Sequence, residues 1–168
     1  MSYEKVKEYF DSVSLGERVV IREHIGDTVE NAAIAIGCEP AHIAKAMSFM
    51  QNGEPALVVM AGDAKVNNTK YKTCFHQKAV MVPGDQVEDL IGHVPGAVCP
   101  FGINDGVKVY LDISLKRFEV IYTAGGNPNA TVQLTLDELE EHSKPETWVD
   151  VCKGWYVNEG ETEVKGEN

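Results

Sequence analysis

The sequence predicts an α+β domain built on a mixed, mainly antiparallel sheet, and three observations point there. Asn52-Gly53 stands between two runs of strand-forming residues, a hairpin signal because both positions tolerate positive φ. Capped helix starts and short apolar runs follow one another without the regular strand–helix–strand alternation of a doubly wound sheet. Glycine and proline cluster at Pro83-Gly84, Gly92–Gly102 and Gly125–Pro128, breaking the chain into short elements.

The elements are expected in this order. Residues 3–13 form a helix with Val6, Tyr9, Phe10 and Val13 on one face. Residues 18–23 form a short strand. Asp27 or Thr28 then caps a helix, with Glu30 closing a capping box, Val29, Ala32, Ala33 and Ile36 on its apolar side and Gly37 as its stop. Strands at 43–50 and 56–60 make the hairpin. A helix covers 64–75, a buried strand 79–82 and a short helix 85–91. Strands at 107–111 and 118–123 are separated by a polar segment with Ser114, Lys116 and Arg117. The Gly125–Asn129 turn leads to a strand at 131–134, and Thr135 with Glu138 opens a last helix through a second capping box.

The 168 residues suit one domain, placed at residues 1–158, followed by an acidic tail at 159–168 too poor in apolar residues to fold. No apolar run is long enough to cross a bilayer, and the first residues lack the apolar core of a secretory signal, so a cytoplasmic location is expected. Cys38, Cys74, Cys99 and Cys152 are scattered without a Cys-x-x-Cys pair, and the five histidines show no ligand spacing. Neither a disulfide framework, a metal site nor a bound cofactor is expected. The net charge of −11 argues against nonspecific binding to a polyanion. Residues 64–82 nevertheless carry four lysines (Lys65, Lys70, Lys72, Lys78) and no acid, which leaves either a basic face or an ordinary solvated surface.

Three places carry candidate chemistry. Lys45 shares a strand face with Ile43, Met47 and Phe49, and an ammonium in an apolar face needs an anion, a substrate or a pocket mouth; the alternative is an edge lysine snorkelling to water. The loop Gly92–Gly102 holds three glycines and two prolines, so its amides are free to face a carbonyl oxygen or oxyanion instead of a ladder; the alternative is a plain apolar connector. Cys99 in that loop is either a nucleophile with His93 as its base or a packing residue. The G-x-G-x-x-G, G-K-[ST] and G-x-S-x-G patterns are all absent, which removes dinucleotide, P-loop and serine-hydrolase readings.

Thr28 with Glu30–Gly37, Ile43-Ala44-Lys45, Gly96–Gly102, Val107–Asp112, Val120–Gly126 and Leu134–Leu139 occur in an order and spacing that resembles the YbaK/EbsC family across residues 18–142. The resemblance implies a partly closed barrel with flanking helices, similar to the insertion domain of bacterial prolyl-tRNA synthetase. It implies an aminoacyl-tRNA deacylase that hydrolyses the ester of tRNA(Pro) carrying a small wrong amino acid such as Cys or Ala. In that resemblance Lys45 holds the tRNA 3′ acceptor end, and Gly96 and Pro100 fix a GxxxP loop whose backbone, at Ala97, Val98 and Cys99, holds the aminoacyl group. Gly126, Thr131 and Thr28 are expected as further substrate contacts, and prolyl-tRNA synthetase as a partner. Cys99 replaces a Ser common in relatives, Ala46 a Thr, and Thr131 an Asp of the Cys-specific deacylase, so the resemblance leaves the amino acid unspecified. The alternatives are a non-catalytic aminoacyl- or nucleotide-binding module of the same fold, and an acidic scaffold acting through its tail.

Overall fold

The structure is a computed structural model that describes residues 2–23, 25 and 28–155. The expected Asp27 cap, the end of the domain at 158 and the 159–168 tail lie outside the described residues.

Helix α1 (Ser2–Ser12) buries Val6 and Phe10, spaced four residues apart on one face. A 3-10 turn leads to β1 (Val19–Ile21). Helix α2 (Val29–Ile36) begins at Thr28, whose hydroxyl accepts from the Asn31 N–H at 3.0 Å, and ends at Gly37, where φ is +88°. With Thr28 as the cap, Glu30 falls one position short of the place a capping box requires. The hairpin forms as expected: β2 (Ala44–Gln51) and β3 (Glu54–Ala61) join through Asn52 and Gly53, with φ of 54° and 82°.

The expected 64–75 helix is shorter. Residues Lys65–Val66 form β4, and α3 (Asn68–Phe75) starts only after Asn67, whose side chain caps the Lys70 N–H at 2.9 Å. The expected buried strand at 79–82 is a half-exposed edge segment, with Val82 in the core. It touches β2 through a Phe49–Met81 bridge, and Val80 and Met81 are 54% and 51% exposed. Helix α4 (Val87–Ile91) precedes the glycine-rich loop. Beyond the loop come β5 (Lys108–Asp112), β6 (Val120–Ala124), β7 (Ala130–Thr135), α5 (Leu136–Ser143), β8 (Thr147–Val149) and β9 (Cys152–Lys153).

Among the described residues the strands form three sheets, with orders β1-β7-β6, β2-β3-β5-β8 and β4-β9. The pairings are antiparallel except β3–β5 and β5–β8. None of the sheets is closed, so the expected partly closed barrel is replaced by separate sheets that meet at a parallel bridge, Ile43 to Tyr122. The larger sheet spends its free edge on the parallel strand β8 from residues beyond the family resemblance, and Trp148 and Trp155 pack against the core there.

The core lies between the sheets and helices, around Phe10, Leu57, Val59, Leu111, Ile121, Val132 and Leu139. A buried carboxylate ties the larger sheet to the 3-10 turn after β5 and to the chain entering β9. Asp112 accepts from the Ser114 and Val151 N–H groups, each at 2.9 Å, and Ser114 Oγ in turn accepts from Ala61 N at 3.0 Å.

Candidate active site

A cavity of about 280 Å³ opens where β2, α2, β6, β7 and the glycine-rich loop meet. Its walls are mostly apolar: Ile25, Val29, Ile36, Met47, Val98 and Ala130 contribute to them. Lys45, Gly96, Thr28, Thr123 and Thr131 supply the polar and flexible positions. Apolar walls with a few convergent polar groups are the ordinary character of a small-molecule site.

The β2–β3 register explains how Lys45 reaches this wall. Lys45 lies opposite Met60, Met47 opposite Val58 and Phe49 opposite Ala56. One strand face therefore carries all six side chains. Helix α3 covers the Phe49 end, where the Tyr71 ring lies 5.0 Å from that of Phe49, while Lys45 and Met47 line the cavity. Burial pushes the Lys45 ammonium below its ordinary value of 10.5, against weaker pulls upward that include Asp63 and Glu30. Lys45 makes no ion pair among the described residues.

Gly96 is brought to the same cavity by a turn that the sequence dictates. Val94 O accepts from Ala97 N at 3.0 Å, Pro95 occupies the second position and Gly96 the third, with φ of +89°. A type II turn needs that positive φ, which glycine adopts without a Cβ penalty. The N–H groups of Gly96 and Val98 donate no hydrogen bond among the described residues, and both residues line the cavity.

The other loop positions support the turn from behind. Ala97, Cys99 and Pro100 are buried and do not line the cavity. Gly126 is also outside the lining. Its N–H donates to Ala97 O at 3.2 Å, its carbonyl accepts from Ser2 Oγ at 2.6 Å, and a Cβ there would stand 2.8 Å from Ser2 O. Gly126 thus clamps the start of α1 and the Gly96 turn together.

Cys99 and His93 are neighbours, with Sγ 3.6 Å from Nε2. They do not form a nucleophile–base pair. Nε2 lies 2.6 Å from Phe101 O, an acceptor only, so Nε2 carries the proton and has no lone pair for the thiol. Burial pushes the Cys99 thiol up to about 12 and holds His93 below its ordinary value. Cys99 is a packing residue at neutral pH.

Thr131 lines the cavity with its hydroxyl held by Arg22, whose Nε donates to Oγ1 at 3.0 Å. Arg22 gave no signal in the sequence, standing as one charge at the end of a short strand; only the β1–β7 register brings it beside Thr131. Of the lysines at 64–82, Lys70 is paired with Asp150 at 3.1 Å, while Lys72 and Lys78 line a separate groove beside α3. Among the described residues there is no group of three His, Cys, Asp or Glu side chains that fits a metal ion, and no helix is long and apolar enough to cross a membrane.

Fold and cavity together define a mixed α+β domain in which a lysine with no ion-pair partner among the described residues and an open backbone turn line an apolar pocket. Residues 24–142 match the family described as the aminoacyl-tRNA editing domain, and the chain belongs to that family. It is 42% identical to an uncharacterised protein, YwhH, of Bacillus subtilis (strain 168), over 92% of this chain and 99% of that protein. It is 32% identical to the proline–tRNA ligase of Limosilactobacillus fermentum over 53% of this chain, a stretch amounting to 17% of the ligase. A crystal structure described as that of a candidate trans-editing enzyme for prolyl tRNA synthetase superposes with a TM-score of 0.81 at 25% identity, covering 91% of this chain and 98% of that one.

Proposed function

We propose that this protein is a free-standing aminoacyl-tRNA deacylase that hydrolyses tRNA(Pro) carrying a small non-cognate amino acid. The observation that carries this reading is that one apolar cavity is lined by Lys45, which has no ion-pair partner among the described residues, and by Gly96 and Val98, whose N–H groups donate to none of them. Lys45 is a compact point charge suited to the terminal phosphate of the acceptor end. The N–H groups of Gly96 and Val98 face the ester carbonyl and stabilise the negative charge that its oxygen gains during attack. Water adds to the carbonyl carbon, the bond to the ribose oxygen breaks, and that oxygen leaves with a proton. An aminoacyl ester is already activated, so orientation and oxyanion stabilisation supply the acceleration without a nucleophilic side chain. Pro100, Ala97, Cys99 and Gly126 keep the turn in shape rather than meeting the substrate. The work belongs in the cytoplasm, where tRNA is charged, with prolyl-tRNA synthetase as a natural partner in supplying mischarged tRNA.

The test uses tRNA(Pro) mischarged with alanine, cysteine or serine, incubated with the wild type and with Lys45→Ala. Loss of a charged hydrogen-bond donor is expected to lower kcat/KM by about 10- to 100-fold. Tight binding of mischarged tRNA without loss of the ester by the wild type would instead make the protein a non-catalytic binding module.

A further inference from the structure

We infer that Arg22 is a positioning residue that turns the Thr131 hydroxyl into a hydrogen-bond donor aimed at the substrate's side chain, so that the site prefers esters of small hydroxyl amino acids over alanine. The inference rests on the deacylase reading and concerns its specificity. Arg22 is fixed at two points: its own N–H donates to Asn129 O at 2.7 Å and its Nε to Thr131 Oγ1 at 3.0 Å. The guanidinium is only a donor, so the hydroxyl acts as acceptor toward it and must direct its own proton elsewhere. Thr131 is 5% exposed, lines the cavity, and has no acceptor for that proton among the described residues.

The other two threonines of the cavity differ. Thr123 gives its proton to Ala124 O at 2.7 Å, and Thr28 stands at the exposed rim capping α2. Thr131 is therefore the buried threonine with an uncommitted donor. Electrostatics decides which group it meets. Arg22 behind it and Lys45 on a neighbouring wall repel the substrate's α-ammonium, and they favour a neutral acceptor such as a serine or threonine hydroxyl oxygen. An alanine methyl leaves the buried donor unpaired, which is how a polar contact rejects an isostere that apolar walls accept. The apolar lining supplies no comparable discrimination, because an added hydroxyl is poorly excluded by hydrophobic contact alone.

The experiment compares kcat/KM for seryl- and alanyl-tRNA(Pro) in the wild type, Thr131→Val, Thr131→Ser and Arg22→Gln. The wild type is expected to favour the seryl ester by on the order of tenfold, the worth of one hydrogen bond to a polarised group. In Thr131→Val the seryl rate falls further than the alanyl rate and the ratio approaches one. Arg22→Gln lowers the ratio part-way, and Thr131→Ser, which keeps the hydroxyl, retains it. A wild-type ratio of one or below, a ratio unmoved in Thr131→Val, or an equal loss on both esters in Arg22→Gln overturns the inference while leaving the deacylase reading in place. Hydrolysis of neither ester by the wild type overturns the inference, and it overturns the deacylase reading as well when the cysteinyl ester is also left intact.

Discussion

Lys45 sits where an ammonium is disfavoured, and that is what makes it available. Burial lowers its pKa, so the charged form is less stable here than in an exposed lysine. The folded chain binds fewer protons than the unfolded one between the lowered value and 10.5, so stability gained from this group rises with pH across that window. An anionic ligand reverses the effect, since a phosphate beside the amine favours its charge. If the charge holds the tRNA end, kcat/KM falls on the alkaline side as the free enzyme's Lys45 loses its proton, at a pH below that of an ordinary lysine. In Lys45→Arg the guanidinium stays charged throughout. The expected outcome is a lower rate at neutral pH, because the geometry changes, with the alkaline limb moved upward or lost. A pH–rate profile of both proteins checks it, and coincident limbs would assign the titration to another group.

Local elements arise from short-range chemistry, and the caps show it best. Thr135 Oγ1 accepts from Glu138 N at 3.1 Å while Glu138 Oε1 accepts from Thr135 N at 2.9 Å, a reciprocal pair written in four consecutive residues. The same Glu138 takes a two-pronged contact from Arg18, at 2.7 and 3.2 Å, so the start of α5 is tied to the turn before β1. Thr135→Ala removes one cap bond and loosens the other. It is expected to cost about 1 kcal/mol, read as a lower urea midpoint with unchanged slope. The cap, the Asn52-Gly53 hairpin and the Gly37 stop were legible because each is decided within a few residues. The helix expected at 64–75 starts late because Asn67, a cap in the middle of a helix-like run, gives its first residues to the β4–β9 pairing. The 79–82 run reads as buried from its apolar residues, yet the sheet edge it reaches is that of β2, and half of it faces solvent.

At the scale of the molecule, the site is an encounter of distant segments. Lys45 and Gly96 were legible as odd residues for their surroundings, an ammonium in an apolar run and a glycine in a Pro-Gly turn. Arg22 was not, because its partner Thr131 is brought close by β1–β7 pairing alone. Nor was the open arrangement of sheets, since parallel pairings such as β5–β8 leave no local signature and draw on residues outside the family resemblance. Long-range order of this kind depends on a few buried polar fasteners, and Asp112 is one that joins several segments. It is fully buried and receives N–H groups from Ser114 and Val151, joining β5 to the 3-10 turn and to the chain leading into β9. Asp112→Ala leaves two buried donors without acceptors, each worth about 1–3 kcal/mol. The expected loss is therefore on the order of 3 kcal/mol in urea unfolding, several times that of Thr135→Ala although each change removes one side chain. The larger loss should come with faster amide exchange at Ser114 and Val151 and little at α2, because α2 shares no hydrogen bond with Asp112. A loss no larger than that of the exposed cap would mean that water reaches the Asp112 site and that the sheet is held by apolar packing alone.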